Sequence, residues 1–284
     1  MGSLGRVLVT GAGGALGQSL LAALDGDDVV GLGHGGLDVA DRDAVLQAFG
    51  QVVPDVVVHA GAWTDVDACE LDPDRAFRVN SLGTRNVVEG ARLVGARVVY
   101  ISTDYVFDGR GSRPYVEWDD TNPLSIYGRS KLGGESELRH EDTIVRTSWV
   151  CGFAGRNFVK TIVDRATSNQ PLRVVDDQHG CPTFTDDLAG MIRRLAVERR
   201  SGLFHATNQG ATTWFRLACE VVELAGLDAD RVQPCTTAEL DPPRPAPRPA
   251  FSVLDNAALR LGGVPLLDDY HTPLERLVKE LLAA

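Results

Sequence analysis

The chain has 284 residues, 44% hydrophobic and 24% charged, ordinary globular values that exclude a disordered chain, a collagen and a coiled coil. No apolar run approaches the roughly 20 residues that span a bilayer. There are 39 acidic against 28 basic residues, a net charge of -11 with no Lys/Arg cluster, which argues against a nucleic-acid partner.

The N-terminus shows no basic, long-apolar leader pattern. The five cysteines, Cys69, Cys151, Cys181, Cys219 and Cys235, form no Cys-x-x-Cys pair and no zinc spacing, which reads as reduced thiols in a cytoplasmic protein. In chain order, residues 6–10 read as a strand, 16–24 as a helix, 29–32 and 37–39 as short strands, and 43–49 as a helix. A strand follows over 55–59, then a long helix over 73–94, a strand over 97–102, a helix over 125–138 and a strand over 143–147. These strands are dense in Val and Ile without polar alternation, the pattern of a parallel sheet covered on both faces.

The second half changes character. Helices are expected over 157–166, 186–198, 214–224 and 273–282, with strands over 172–175 and 202–207. Residues 240–249 hold five prolines and read as a rigid surface or site loop. The expectation is a Rossmann-like, doubly wound α/β fold over 1–148. A smaller α+β substrate-binding region over 149–284 follows, with residues around 202–208 returning to the Rossmann sheet.

Gly11, Gly13, Gly14, Ala15, Leu16 and Gly17 belong to a Gly-x-x-Gly-x-x-Gly run that leaves the first strand and opens a helix. Such glycines permit a tight turn and let backbone approach a pyrophosphate at the helix N-terminus. The second strand ends Leu32-Gly33-His34, with no acid at its tip to hold a ribose 2′-hydroxyl. His34 tolerates a 2′-phosphate, and Asp38-Val39 is expected beside the adenine. NADPH is therefore preferred over NADH, without excluding the latter.

Tyr127 and Lys131 form a Tyr-x-x-x-Lys pair in a chain with five tyrosines and three lysines, a pattern that chance supplies roughly 0.05 times. On a helix they share one face. A nearby ammonium lowers a phenol pKa and makes tyrosine a usable general acid toward a carbonyl oxygen. Upstream, Ser102-Thr103-Asp104-Tyr105 follows a buried strand, where open α/β sheets bind ligands. Either Thr103 or Ser102 could hydrogen-bond the same carbonyl.

With these motifs the sequence resembles the extended short-chain dehydrogenase/reductase superfamily. More narrowly it resembles the dTDP-4-dehydrorhamnose reductase group, over nearly the whole chain. The stretches that carry the likeness are 10–17, 62–70, 79–80, 102–109, 127–131, 146–150, 177–183, 248–249 and 252–255. The resemblance implies Tyr127 as proton donor, Lys131 on the nicotinamide ribose and Thr103 orienting a keto group. It implies Ala60, Gly61 and Ala62 under the cofactor. It implies a nucleotide-sugar substrate held by Thr64, Asp65, Ser102, Thr103, Asp104, Tyr105, Trp149, Asn157, Gln178 and Arg248, with Arg248 on the diphosphate.

Two departures stand out. His59-Ala60-Gly61 occupies the place of the group's Asn-Ala-Ala, and Gln18-Ser19 the place of a carboxylate that holds magnesium at a dimer contact in some members. No metal is expected, and the chain is expected to be a monomer or homodimer. Thr103 is followed by Asp104-Tyr105 and not by a carboxylate pair, which argues against a sugar-nucleotide dehydratase. Another nucleotide-sugar 4-ketoreductase or epimerase, and a non-catalytic NADP-binding subunit like that of methionine adenosyltransferase, remain alternatives. Trp118 and Trp214 are expected to be packing residues.

Overall fold

A computed structural model of the protein describes residues 4–168 and 170–284. The first half runs β1 (Arg6–Thr10), α1 (Ala15–Ala23), β2 (Asp28–Leu32), α2 (Arg42–Val52), β3 (Val56–His59), α3 (Val66–Leu71), α4 (Pro73–Phe77), α5 (Gly83–Val94), β4 (Arg97–Thr103), α6 (Ile126–Glu135) and β5 (Thr143–Thr147). The second half runs β6 (Val150–Cys151), α7 (Phe158–Thr167), β7 (Leu172–Val175), β8 (His179–Gly180), β9 (Thr183–Phe184), α8 (Thr185–Val197), β10 (Gly202–His205), β11 (Thr212–Thr213), α9 (Trp214–Leu224), β12 (Val232–Cys235), α10 (Ala257–Leu261) and α11 (His271–Ala283).

Six strands form one parallel sheet in the order β10-β5-β4-β3-β1-β2. The chain winds from β1 outward to β2, then crosses to β3 on the other side of β1. That reversal opens a crevice beyond the carboxyl ends of β1 and β3, the ligand position of open α/β sheets. The Val- and Ile-rich strands explain the two-sided cover. Val7, Val9, Val58 and Val99 pack against Leu20 of α1 and against Leu188 and Ile192 of α8. Leu8, Val57 and Val98 face the other way, onto Val45 and Phe49 of α2 and Val87 of α5. Alternate residues of each strand thus bury on opposite faces.

A second core joins Val159 and Ile162 of α7, Leu217 and Val221 of α9, and Leu274 and Val278 of α11 around the parallel pair β7–β12. The return to the main sheet is wider than residues 202–208: β10 pairs with β5, and α8 packs with the first core.

Three local expectations are corrected. Residues 37–39 are not a strand: Asp38 Oδ1 accepts the Ala40 N–H at 3.0 Å, an Asx turn that bends the chain away from the sheet edge, while Leu37 and Val39 bury against α2 and α5. The helix over 73–94 is continuous but carries a π turn, Arg78–Leu82, between α4 and α5. Trp118 is 67% exposed and does not pack in a core. No helix among the described residues is long and apolar enough to cross a membrane.

Candidate active site

Gly11 takes φ +73°, and a Cβ there would lie 2.6 Å from Gly61 N and 2.7 Å from the Ala60 carbonyl carbon. The β1 and β3 loops therefore touch backbone to backbone. Gly17 closes the first turn of α1 on the same grounds, since its Cβ would meet Ala12 Cα at 2.7 Å. Gly13 is different: only Gly33 Cα, 4.0 Å away, borders its missing side chain. The helix begins at Gly14 with no side-chain cap and no acid in its first turn, leaving N–H groups and the positive dipole end free for an anion.

This loop opens into a cleft of about 860 Å³. Gly11, Gly13, Gly14, Ala15, Leu16, Gly17, His34, Asp38, Val39, Ala60, Gly61 and Ala62 line it, and so do Tyr127 and Lys131. The residues present fit a dinucleotide. The glycine cradle is clear, the helix end is uncapped, and the buried Thr147 Oγ1 on the same wall has no protein partner.

The tyrosine-bearing helix α6 is held in place by polar contacts and by glycine. Ser125 caps it, its Oγ accepting the Gly128 N–H at 3.2 Å, and Glu70 accepts the Ile126 N–H at 2.9 Å. Asn80, in the π turn, accepts the Trp63 N–H at 2.8 Å and donates to Ser130 Oγ at 2.9 Å. The π turn thus aims one amide at both the β3 loop and α6. A Cβ on Gly128 would collide with the Tyr105 carbonyl oxygen, so only glycine lets α6 lie against the turn that carries Tyr105.

Thr103 ends β4. Its hydroxyl donates to Asp104 Oδ1 at 3.0 Å and accepts the Tyr105 N–H at 3.2 Å. Burial pushes the Tyr127 phenol up, and a hydrogen bond with Thr103 pulls it partly back. Tyr105 meets the Tyr127 ring edge-on, with centroids 5.8 Å apart. Lys131 Nζ donates to the Ile101 carbonyl at 2.7 Å and lies 4.1 Å from the centre of the Tyr100 ring. Burial lowers its pKa to about 7, against the opposing charge of Glu135. The expected lysine-lowered phenol is therefore not what this geometry gives: Lys131 faces β4, and burial dominates at Tyr127.

His59 sits beneath the cleft floor. Its Nδ1 pairs with Thr10 Oγ1 at 2.7 Å and its Nε2 with Thr84 Oγ1 at 3.2 Å. It replaces asparagine as a buried hydrogen-bonding bridge, and Ala60–Ala62 still reach the cleft. At the magnesium position, Ser19 Oγ is hydrogen-bonded within the chain to Thr185 Oγ1 (2.9 Å) and Asp186 Oδ1 (2.7 Å).

Among the expected substrate contacts, Thr64, Ser102, Thr103, Asp104, Tyr105 and Trp149 line the cleft. The Ser102 hydroxyl is committed to Glu135 Oε1 at 2.5 Å. Four others lie outside the lining. Asp65 caps α3 by accepting the Ala68 N–H at 3.0 Å. Asn157 caps α7 by accepting the Lys160 N–H at 3.1 Å. Gln178 donates to Thr237 Oγ1 at 2.9 Å. Arg248 binds both oxygens of Asp67 at 2.8 Å. Each is engaged by a partner within the chain. Burial alone would raise the Asp67 carboxyl, but hydrogen bonds from Arg248 and the Ala246 N–H outweigh it and bring it to about 2.

Sequence reasoning missed Trp63, Arg75, Gly155, Arg156 and Trp214, which also line the cleft. Arg75 lies 4.3 Å over the Trp63 ring. Trp214 stacks face to face on Trp149 at 3.5 Å, so it packs as expected but does so in the cleft wall. Trp149 itself takes φ +46°, a left-handed conformation rare for a bulky side chain. Trp63 and Trp149 stand in stretches that carry the resemblance, whereas nothing local marks Trp214.

Residues 5–283 match the family described as RmlD substrate binding domain. The chain is 43% identical to a dTDP-4-dehydrorhamnose reductase of Streptomyces griseus, over 95% of this chain and 91% of that protein. It is 41% identical to a probable dTDP-4,6-dihydroxy-2-methyloxan-3-one 4-ketoreductase of Streptomyces antibioticus, over 98% and 96%. Among solved structures it is similar to dTDP-4-dehydrorhamnose reductase from Bacillus anthracis str. Ames in complex with NADP, with TM-score 0.93 and 36% identity over 97% of this chain and 99% of that one. With one cleft bounded by the glycine loop, Thr103 and Tyr127-x-x-x-Lys131, the chain belongs to the RmlD substrate binding domain family, among the dTDP-4-dehydrorhamnose reductases.

Proposed function

We propose that the protein reduces the C4 keto group of a dTDP-4-keto-6-deoxy sugar, with dTDP-4-dehydro-L-rhamnose to dTDP-L-rhamnose as the reading best supported. The observation that carries it is the convergence of Thr103, Tyr127 and Lys131 on the cleft that the bare N-terminus of α1 enters. When bound, the reduced nicotinamide supplies the hydride. Tyr127 holds the proton: a phenol pushed up by burial stays protonated at neutral pH and passes its proton to the C4 oxygen as negative charge develops there. Thr103 orients that oxygen. Lys131 is assigned to the cofactor ribose, and the N–H groups of the glycine loop to the pyrophosphate.

NADPH is favoured over NADH because β2 ends without an acid, and a relative's structure carries NADP. The five cysteines are free, and burial raises Cys69 and Cys151 to about 12, which fits a cytoplasmic enzyme. The charge of -11 argues against nucleic acid, and we take the chain to be a monomer or homodimer. The Streptomyces antibioticus relative, named for a different 4-keto sugar, keeps a specialised deoxysugar substrate as the second reading.

The test follows reduced-nicotinamide absorbance with dTDP-4-dehydrorhamnose made in situ, NADPH and NADH side by side. Oxidation that falls on the order of 100-fold or more in Tyr127→Phe, with cofactor still bound, is the expected result. No oxidation with either cofactor despite binding overturns the assignment, and a second 4-keto sugar separates the two readings.

A further inference from the structure

Asp104 is a buried carboxylate, 2% exposed, on the cleft wall beside Thr103. Its two oxygens have different partners. Oδ2 accepts the hydroxyl of Ser252 at 2.5 Å, across 148 residues of chain, and Oδ1 accepts the hydroxyl of Thr103 at 3.0 Å. Ser252 is itself anchored, its N–H donating to the His179 carbonyl at 2.8 Å. The strap after the proline-rich loop therefore reaches the reacting hydroxyls through one carboxyl group.

Counting protons gives the arrangement a consequence. Thr103 has one hydroxyl hydrogen. While Asp104 is ionised, that hydrogen goes to Oδ1, and the oxygen accepts from the Tyr105 N–H. Thr103 then has no hydrogen to give to a keto oxygen or to a Tyr127 phenolate. The Ser252 hydroxyl has a second, longer contact to the His179 carbonyl at 3.5 Å; while it donates to Oδ2 at the shorter 2.5 Å, a proton added to Asp104 goes to Oδ1. The carboxyl then donates to Thr103, and the hydrogen of Thr103 is free to turn toward Tyr127, with which it hydrogen-bonds.

Resting on the ketoreduction reading above, we propose that Asp104 is the proton reservoir of the site and that Ser252 is the positioning residue that keeps its proton on the oxygen facing Thr103. After Tyr127 has given up its proton, the Asp104 O–H breaks and Thr103 takes that proton. Thr103 passes its own hydrogen to the phenolate, the Tyr127 O–H re-forms, and Asp104 is left ionised until water protonates it again.

Burial raises Asp104 to about 7, with the hydroxyls of Ser252 and Thr103 pulling against it. The titratable groups that face it are Tyr105 on its own turn, Tyr127 on α6 and Cys181 on the loop before β9. Burial raises all three, Cys181 to about 11, so all stay neutral near pH 7. Lys131 also titrates near 7, but it hydrogen-bonds the Ile101 carbonyl and not Ser252 or Asp104.

The test is infrared titration of the carboxyl stretch in the whole protein, with the Asp104→Asn difference spectrum identifying the band. Alongside it, the pH profiles of kcat and kcat/KM are measured with the keto sugar. The band should titrate near pH 7. Removing a hydrogen bond to the ionised form in Ser252→Ala should move it up by about one pH unit, and the descending limb of kcat should move with it. Ser252→Thr, which keeps the hydroxyl, should restore both. A band already ionised at pH 5, or a midpoint that Ser252→Ala leaves in place while the variant is folded, overturns the proposal. The infrared midpoint needs no turnover, so failure of the ketoreduction assay alone is distinguishable from failure of this linkage.

Discussion

Two side chains, one in the cleft wall and one buried behind it, depend on identifiable neighbours. The Trp149 indole stacks on Trp214, and the space behind it is closed by Gly180, where a Cβ would sit 2.5 Å from the indole nitrogen. Truncating Trp214 removes one face of that stack and lets a strained residue relax. Trp214→Ala is expected to raise KM for the keto sugar about tenfold, a loss in the range of aromatic pairing plus some burial. NADPH affinity by titration should stay the same, and an equal loss in both would refute the separation. Glu135 is the second case. It binds Arg146 through two contacts of 2.8 and 2.7 Å, both side chains being buried, and its charge also opposes the fall of the Lys131 pKa. Glu135→Gln leaves a buried guanidinium uncompensated, which costs about 3–5 kcal/mol. Urea unfolding checks it, and a change below 1 kcal/mol would show that Arg146 finds another partner.

The glycine turn at the start of α1 does two separable jobs. Gly17 carries packing, because a Cβ would meet Ala12 Cα at 2.7 Å. Gly13 carries an open cradle, because its Cβ would find nothing nearer than Gly33 Cα at 4.0 Å. Gly17→Ala should therefore lower Tm and cofactor binding together. Gly13→Val should keep Tm within about 2 °C, since open space adds no clash, while weakening NADPH on the order of tenfold or more by filling the pyrophosphate cradle. Equal loss of Tm in both variants would refute this division. The helix over 73–94 was legible from its Asp72 cap and Pro73, since both act within one turn. Its π turn was not, because the extra residue is stabilised by Asn80 reaching Trp63 and Ser130, contacts outside the helix.

For the molecule as a whole, two buried histidines set the acid limit. Burial lowers His59 to about 3, aided by the charge of Lys131, and lowers His205 to about 3, aided by Arg146. Their ordinary value is 6.5. Between those values the unfolded chain binds protons that the folded chain refuses, so stability rises with pH across the window. On acidification it is lost from about pH 6.5 downward, well before ordinary carboxylates titrate. Asp104, raised to about 7, works against them, since the folded chain keeps a proton there that the unfolded carboxylate gives up. Unfolding free energies measured between about pH 6.5 and 4.5 should still fall, by the histidine that is left uncancelled, and His59→Asn should flatten the fall. A flat profile would mean that one of the two rings charges without unfolding.

The sequence by itself determined the parallel sheet, the glycine turn and the Tyr127–Lys131 face, because strand burial, backbone freedom at glycine and helical spacing are all settled within a few residues. Tertiary structure alone decided what the longer polar and aromatic side chains touch. Arg248 lies 181 residues from the Asp67 that holds it, Gln178 lies 59 from Thr237, and Ser252 lies 148 from Asp104. Trp214 gains its place only through α9 packing beside Trp149. A charged or aromatic group takes the partner that burial brings within hydrogen-bond or stacking reach, and chain separations of that size leave no trace in local spacing.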